Sequence, residues 1–139
     1  MDTLSIKVNA LEANESFLRS AIGAYASRMN PTLEIISDIK TAVSEAVTNA
    51  IVHGYSCDPD GIIAVNCEIE DGKLTIEVQD FGSGIADVQE AMRDFFTTKA
   101  NDERSGLGFT IMKSFMDKLE VYSEPGEGTL VKMEKKLYA

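Results

Sequence analysis

The sequence predicts an α+β fold, a two-layer sandwich with helices on one face of a mixed, mostly antiparallel sheet. Two kinds of periodicity carry that prediction. Apolar residues alternate with polar ones near both ends and through the middle of the chain, the period-2 mark of half-buried strands. Between them, apolar residues recur every three or four positions, as one face of a helix requires. Strands joined by short turns, with helices placed before and among them, pack as helices on one sheet face.

Each element follows in order. Leu4, Ile6 and Val8 alternate with Ser5 and Lys7, an opening strand. Asn14 is expected to cap a helix carrying Phe17, Ala21, Ala24 and Tyr25 on one side, fading near Asn30-Pro31. Thr32 starts the longest helical pattern, in which Leu33, Ile36, Ile39, Val43, Ala46, Val47, Ala50 and Ile51 form one apolar stripe. Gly54 is its expected stop. After the turn cluster Ser56-Cys-Asp-Pro-Asp-Gly61, Ile63, Val65, Cys67 and Ile69 alternate. Asp71-Gly72 is a two-residue hairpin signal, and Leu74, Ile76 and Val78 alternate beyond it. Asp80 keeps their parity, so it should emerge on the buried face, an expensive place for a carboxylate without a partner. A short helix is expected from Asp87 to Phe95, a loop from Phe96 to Ser105 and a helix from Gly108 to Lys118. Strands around Leu119 to Ser123 and Thr129 to Leu137 flank the Glu124-Pro-Gly-Glu-Gly128 turn.

Composition bounds the function. With 139 residues, 44% of them hydrophobic, the chain reads as one domain over 1–139 with a core of its own. The formal net charge of −10 repels a phosphate backbone, which argues against direct nucleic-acid binding and suits a basic protein partner. No apolar run approaches the roughly 20 residues of a membrane span. Met1-Asp-Thr-Leu-Ser-Ile-Lys7 lacks the pattern of a signal peptide, so a cytoplasmic address is expected. Cys57 and Cys67 show no metal-ligand spacing.

The chemistry concentrates in three motifs. In Ser44-Glu-Ala-Val-Thr-Asn-Ala-Ile-Val-His53, Glu45 and Asn49 lie at i and i+4 of a helix and project together. An amide oxygen is a hard ligand, and a carboxylate can serve as ligand or proton acceptor, so the pair suits a Mg²⁺-phosphate centre. Asp80-Phe-Gly-Ser-Gly84 follows at a strand end, where glycines let the backbone approach a ligand. Arg104-Ser-Gly-Leu-Gly108 stands at the mouth of a helix, where exposed N–H groups favour anions. A P-loop is excluded, because no G-x-x-x-x-G-K-[ST] occurs. Taken singly, each motif is more often a solvated helix edge, a tight turn or a pair of packing glycines. His53, the one histidine, lies two turns from Glu45 on the same helix and reads as structural or supporting.

The ordered set Glu45-x-x-x-Asn49, Asp80-x-Gly82-x-Gly84 and Gly106-x-Gly108 resembles the N, G1 and G2 boxes of the GHKL ATPase/kinase superfamily, whose fold is the Bergerat type. Within it, Ser44 to Tyr55, Phe96-Thr-Thr-Lys99 and Glu103 to Met112 look like the anti-sigma-F family of endospore-forming bacteria. The resemblance covers essentially the whole chain. It implies ATP and Mg²⁺ as cofactors, Glu45 as general base toward a substrate serine, and Asn49 as the metal ligand. It implies that Asp80 accepts a hydrogen bond from the adenine amino group, that Gly82 and Gly84 let the chain pass the base, and that Thr129 supports the adenine end. Phe96 to Ser105 would be the ATP lid, with Arg104 at the phosphates. Thr98, Lys99, Ser105, Gly106, Leu107 and Gly108 fall among the implied nucleotide-binding residues. Arg19 matches a partner-contact arginine. On the residues alone, Lys99 and Arg19 read as solvated.

The function implied is a Mg-ATP-dependent protein serine kinase that also inhibits a sporulation sigma factor and phosphorylates an anti-anti-sigma protein, working as a homodimer. A stress-response anti-sigma kinase with different partners and a non-catalytic ATP-binding adaptor stand as alternatives. An intact Glu45 speaks against the adaptor, because binding alone needs no base.

Overall fold

A computed structural model of the chain describes residues 1–92 and 103–138, the side chains of residues 89 and 103–107 excepted. Five strands form one sheet: β1 (Asp2–Asn9), β2 (Ile62–Glu70), β3 (Lys73–Asp80), β4 (Lys118–Glu124) and β5 (Gly128–Lys136). Their spatial order is β1-β2-β3-β5-β4, and all four ladders are antiparallel. The helices α1 (Glu12–Ser27), α2 (Leu33–Asn49), α3 (Val88–Ala91) and α4 (Glu103–Phe115) complete the α+β arrangement. No helix among the described residues is long and apolar enough to cross a membrane.

Strand parity builds the core. Leu74, Ile76 and Val78 of β3 are buried, as are Ile63, Val65, Cys67 and Ile69 of β2 and Val131 and Met133 of β5. The register sets them in cross-strand rows, one of them Cys67, Ile76, Met133 and Leu119. Asp71 and Gly72 join β2 to β3 with φ of 52° and 75°, the doubly left-handed turn that matches strand twist. At the sheet's other end a second row runs Val8, Ile63, Asp80, Thr129 and Ser123.

The helices differ from expectation in detail. Thr32 caps α2 as its sequence suggested, its hydroxyl accepting from the Ile35 amide at 3.2 Å. Leu33, however, is 88% exposed, because it precedes the part of α2 that reaches the sheet. On α1 the buried side chains are Leu18, Ile22, Tyr25 and Ala26; Phe17 is 53% exposed and Ala24 is also exposed. Stripes one residue apart share the same period, and packing decided between them. Asn14 lies inside the first turn of α1 and ties back to the Asn9 carbonyl at 2.8 Å, so it is not the cap. Helix α4 begins at Glu103, earlier than Gly108, because its opening residues carry little apolar signal. It stops at Phe115, and Lys118 starts β4. The short helix α3 ends at Ala91, capped by Asp87, whose carboxylate accepts from the Glu90 amide.

Gly54 does not stop α2 cleanly. The helix widens into a π turn, Ala50–Gly54, closed by the Tyr55 amide donating to the Ala50 carbonyl at 3.1 Å. Such turns inside a helix recur at functional sites.

Lys135 shares the inward parity of Val131 and Met133 and is only 13% exposed at its side chain. Its ammonium is 3.2 Å from the Asp38 carboxylate on α2 and donates to the Phe115 carbonyl at the end of α4, so one charge ties two helices to the sheet. Replacing it with methionine keeps the apolar stem but leaves the carboxylate and the carbonyl without that donor. Lys135→Met is expected to lower the unfolding free energy by about 1–3 kcal/mol. A urea titration reads this as a lower midpoint with an unchanged slope; an unmoved midpoint would show the ion pair to be net neutral, as some shielded pairs are.

Candidate functional site

The end of β3, the π turn and the start of β5 meet at Asp80. The residue is 5% exposed. Its carboxylate accepts the Gly82 amide at 3.0 Å, and the Thr129 amide lies near enough to favour its charge. Burial holds the carboxyl above its ordinary pKa, and the two amides offset part of that rise.

Close approach of backbones makes the arrangement possible. A Cβ on Gly54 would lie 2.8 Å from the Asp80 carboxyl, and one on Gly82 would lie 1.9 Å from the Gly54 carbonyl oxygen. A Cβ on Gly128 would meet the Asp80 carbonyl oxygen at 2.1 Å, and Gly128 also has φ of 101°, which L side chains rarely adopt. Gly82 therefore serves the packing of the chain against the π turn; it is not among the residues lining the adjoining cleft. Gly84 is, and it passes close to the Glu124 carbonyl on its other side.

Hydrogen bonds fix the loop after Asp80. The Tyr55 hydroxyl accepts from the Phe81 amide at 2.7 Å and donates to the Ile62 carbonyl. The Ser83 amide donates to the Gly54 carbonyl at 2.9 Å and its hydroxyl to the His53 carbonyl at 3.0 Å. The Asp80-to-Gly84 segment is thus pinned to the last residues of the π turn and to Tyr55 beyond it.

These elements enclose a cleft of about 430 Å³. Asn49, Asp80, Gly84 and Thr129 line it together, with Ala46, Ala50, Val78, Phe109 and Val131 forming apolar wall. An apolar slot with a few convergent polar groups suits a small organic ligand. Gly108 brings α4 against the cleft's other end: a Cβ there would sit 3.0 Å from the Asn49 side-chain nitrogen.

Glu45 lies elsewhere. It stands one turn before Asn49 on α2, but it lines a neighbouring groove of about 620 Å³ between α1 and α2, with Arg19, Lys40 and Ser44. Arg19 pairs there with Glu15, 3.7 Å away on the same helix. The expected Glu45/Asn49 pair therefore divides between two adjoining cavities. Arg104, Ser105, Gly106 and Leu107 belong to the opening turns of α4, their side chains outside the described set. Thr98, Lys99 and most of the expected lid lie outside the described residues altogether.

Sequence reasoning missed several lining residues: His53, Ser83, Asp87 and Glu90. His53 was within reach, since it follows Asn49 by four and shares its face. Ser83 occupies a variable place of the glycine motif, and Asp87 and Glu90 resembled ordinary helix-start acids. Of the two cysteines, Cys57 is exposed and Cys67 buried, both free; burial pushes the Cys67 thiol up to about 12, which leaves it protonated and inert.

With this geometry in view, the chain can be set beside known proteins. A family model described as a histidine kinase-like ATPase domain matches residues 8–135. The chain is 53% identical to an anti-sigma F factor of Caldanaerobacter subterraneus subsp. tengcongensis, over 95% of this chain and 92% of that one. It is 48% identical to an anti-sigma F factor of a Geobacillus species, over 95% and 90% of the two chains. Among solved structures, the RsbU and RsbW domains of a Mycobacterium tuberculosis protein superpose with a TM-score of 0.71 at 21% identity, covering 99% of this chain and 33% of that one. The catalytic domain of the histidine kinase ThkA gives 0.62 at 16% identity, covering 99% and 97%. The two structures show the shared fold, and the sequence relatives show more: the chain belongs to the anti-sigma F factor family, within the GHKL superfamily of histidine kinase-like ATPases.

Proposed function

We propose that this chain is a Mg-ATP-dependent protein serine kinase that also holds a sigma factor inactive and phosphorylates an anti-anti-sigma protein on serine. The observation that carries the reading is one cleft lined by Asn49, Asp80, Gly84 and Thr129, with Glu45 one helical turn away facing a groove that also holds Arg19. The names of the relatives support the sigma-factor partner.

The residues present fit the nucleotide. The glycine cradle around Asp80, which any Cβ would fill, leaves a buried acceptor facing an apolar slot. Asn49 offers a hard amide oxygen at the far end, where α4 opens with Arg104 and Gly106. Magnesium commonly uses one or two protein ligands and takes the rest from phosphate and water. When bound, Mg-ATP supplies the transferable phosphoryl group and neutralises its charge.

The chain's own residues then divide the work. Asp80 accepts from the base's amino group, and Thr129 supports the same end. Asn49 would hold the metal and the N-terminal amides of α4 the phosphates, whose charge Arg104 would offset. Glu45 orients the serine hydroxyl and takes its proton at the carboxylate. Arg19 and its groove hold the protein partner. We place the protein in the cytoplasm as a homodimer, one domain per chain, with the net charge of −10 suited to a basic partner surface and adverse to direct nucleic-acid contact.

Asp80→Asn is expected to weaken ATP binding by about 1–3 kcal/mol, the cost of a mismatched buried polar group, while inorganic triphosphate binding is unchanged. Calorimetry with both ligands decides; equal losses would remove Asp80 from the base end.

A pH dependence follows from the raised carboxyl. The native state keeps the Asp80 proton at pH values where the unfolded chain, near the ordinary value of about 3.9, has released it. Asp80's contribution to stability therefore declines as pH rises through its native pKa. Base recognition runs the other way, because the ionised carboxylate is the acceptor. ATP affinity should climb over that interval in the wild type and stay flat in Asp80→Asn; parallel curves would contradict the assignment.

Chemistry and partner holding should separate by mutation. Glu45→Gln is expected to lose about 10²–10⁴-fold in serine phosphorylation while still binding Mg-ATP and the sigma factor. Arg19→Glu should keep nucleotide binding and lose the sigma factor. Phosphate transfer and sigma-factor pull-down, run on both variants, test this; normal phosphorylation by Glu45→Gln would favour an ATP-binding adaptor.

A further inference from the structure

Ser123 does not line the cleft, yet its hydroxyl touches both sides of the cleft's base end. It lies in the cross-strand row that runs Asp80, Thr129, Ser123, on the helix-covered face of the sheet. Three contacts converge on its oxygen: the Ile85 amide at 2.7 Å, the Gly128 carbonyl at 2.8 Å and the Thr129 hydroxyl at 2.8 Å.

A serine hydroxyl has one proton and two lone pairs. The Ile85 amide can only donate, so it takes one lone pair. The Gly128 carbonyl can only accept, so it takes the proton. The remaining contact has one consistent direction: the Thr129 hydroxyl donates its proton to Ser123. Thr129 is then left with lone pairs alone for any further partner. Ile85 and Thr129 both line the cleft, so their placement and polarity are felt by whatever occupies it.

We infer that Ser123 is a positioning residue that sets the donor–acceptor polarity of the cleft's base end and thereby its choice of purine. With Ser123 in place, Asp80 and the Thr129 oxygen both present acceptors. A purine with a 6-amino group brings two N–H donors to that wall. A 6-oxo purine brings a carbonyl oxygen, which meets lone pairs. Removing the Ser123 hydroxyl frees the Thr129 proton to rotate toward the cleft, where it can donate to a 6-oxo group. It also releases the Ile85 amide. The inference deepens the nucleotide reading above and rests on it.

The test compares ATP with inosine triphosphate, which differs from it at the purine 6-position and in the N1 proton. Calorimetric affinities for both are measured on the wild type, Ser123→Ala and Ser123→Thr. The wild type should prefer ATP. In Ser123→Ala that preference should fall roughly tenfold, the size of one buried hydrogen-bond mismatch, and Ser123→Thr, which keeps the hydroxyl, should restore it. A merely structural role would weaken both nucleotides together and leave their ratio unmoved; that result would overturn the inference while leaving nucleotide binding standing. If Ser123→Ala does not fold, Ser123→Cys keeps the shape with a weak donor and acceptor, and the same ratio is read on it. A wild type that binds neither nucleotide would overturn the nucleotide reading and the inference together.

Discussion

A carboxylate buried at the end of β3 is the constraint on which the site depends. Asp80 is almost wholly buried, so its charge must be met by the protein: the Gly82 amide donates to it, and the Thr129 amide nearby favours its charge. Bringing those amides close requires chains to cross almost in contact. Gly54, Gly82 and Gly128 occupy the crossings, where a Cβ would overlap backbone or carboxyl atoms. The cleft is the space left by this crossing, and its polar wall is the carboxylate that the crossing holds.

The larger architecture delivers those parts with small tolerance. An antiparallel register places Asp80, Thr129 and Ser123 in one row, so three side chains from three strands face the same end of the sheet. A one-residue slip of any one of these strands would send its member of the row to the open face. From the opposite layer, α2 arrives with Asn49 at its last turn and widens into the π turn that carries His53 and Gly54 past Asp80. Lys135 secures the layers to each other through Asp38 and the end of α4.

The division of α2 between two cavities has a functional logic. Residues four apart on a helix are neighbours, about 5–6 Å between Cβ atoms, yet these two line different spaces. Asn49 faces the cleft closed by α4, and Glu45 faces the groove under α1. Under the proposed function, the metal ligand and the proton acceptor stand on either side of the point where phosphate meets serine. The groove that holds Glu45 also holds Arg19, so the proposed base and the proposed partner contact share a wall.

The candidate site was legible to the extent that spacing encodes it. The Glu45-x-x-x-Asn49 repeat, the strand parity of Asp80 and the glycines after it are local patterns, and local geometry alone turns them into a face, a strand end and a tight passage. The same holds for the Asp71-Gly72 hairpin and the start of α2 at Thr32. What failed was of another kind. Phe17 and Leu18 offer equivalent helical stripes, and only the packing of α1 against α2 and the shared core selects Leu18. Leu33 fits the apolar repeat of α2 but overhangs the core. The opening turns of α4 have no apolar rhythm to announce them. His53, Ser83 and the hydroxyl of Ser123 gain their places from residues 30 or more positions away, or from a facing strand, as in Ser83 to His53 and Ser123 to Ile85. The sequence by itself therefore determined the strands and main helices, the buried face of each strand and the place of Asp80 at a strand end, because those depend on periodicity and chemistry within a few positions. Tertiary structure alone decided which stripe of α1 is inside, that Glu45 and Asn49 open onto different cavities, and that Ser123 reaches Thr129, because each is settled by what packs against it from a distant part of the chain.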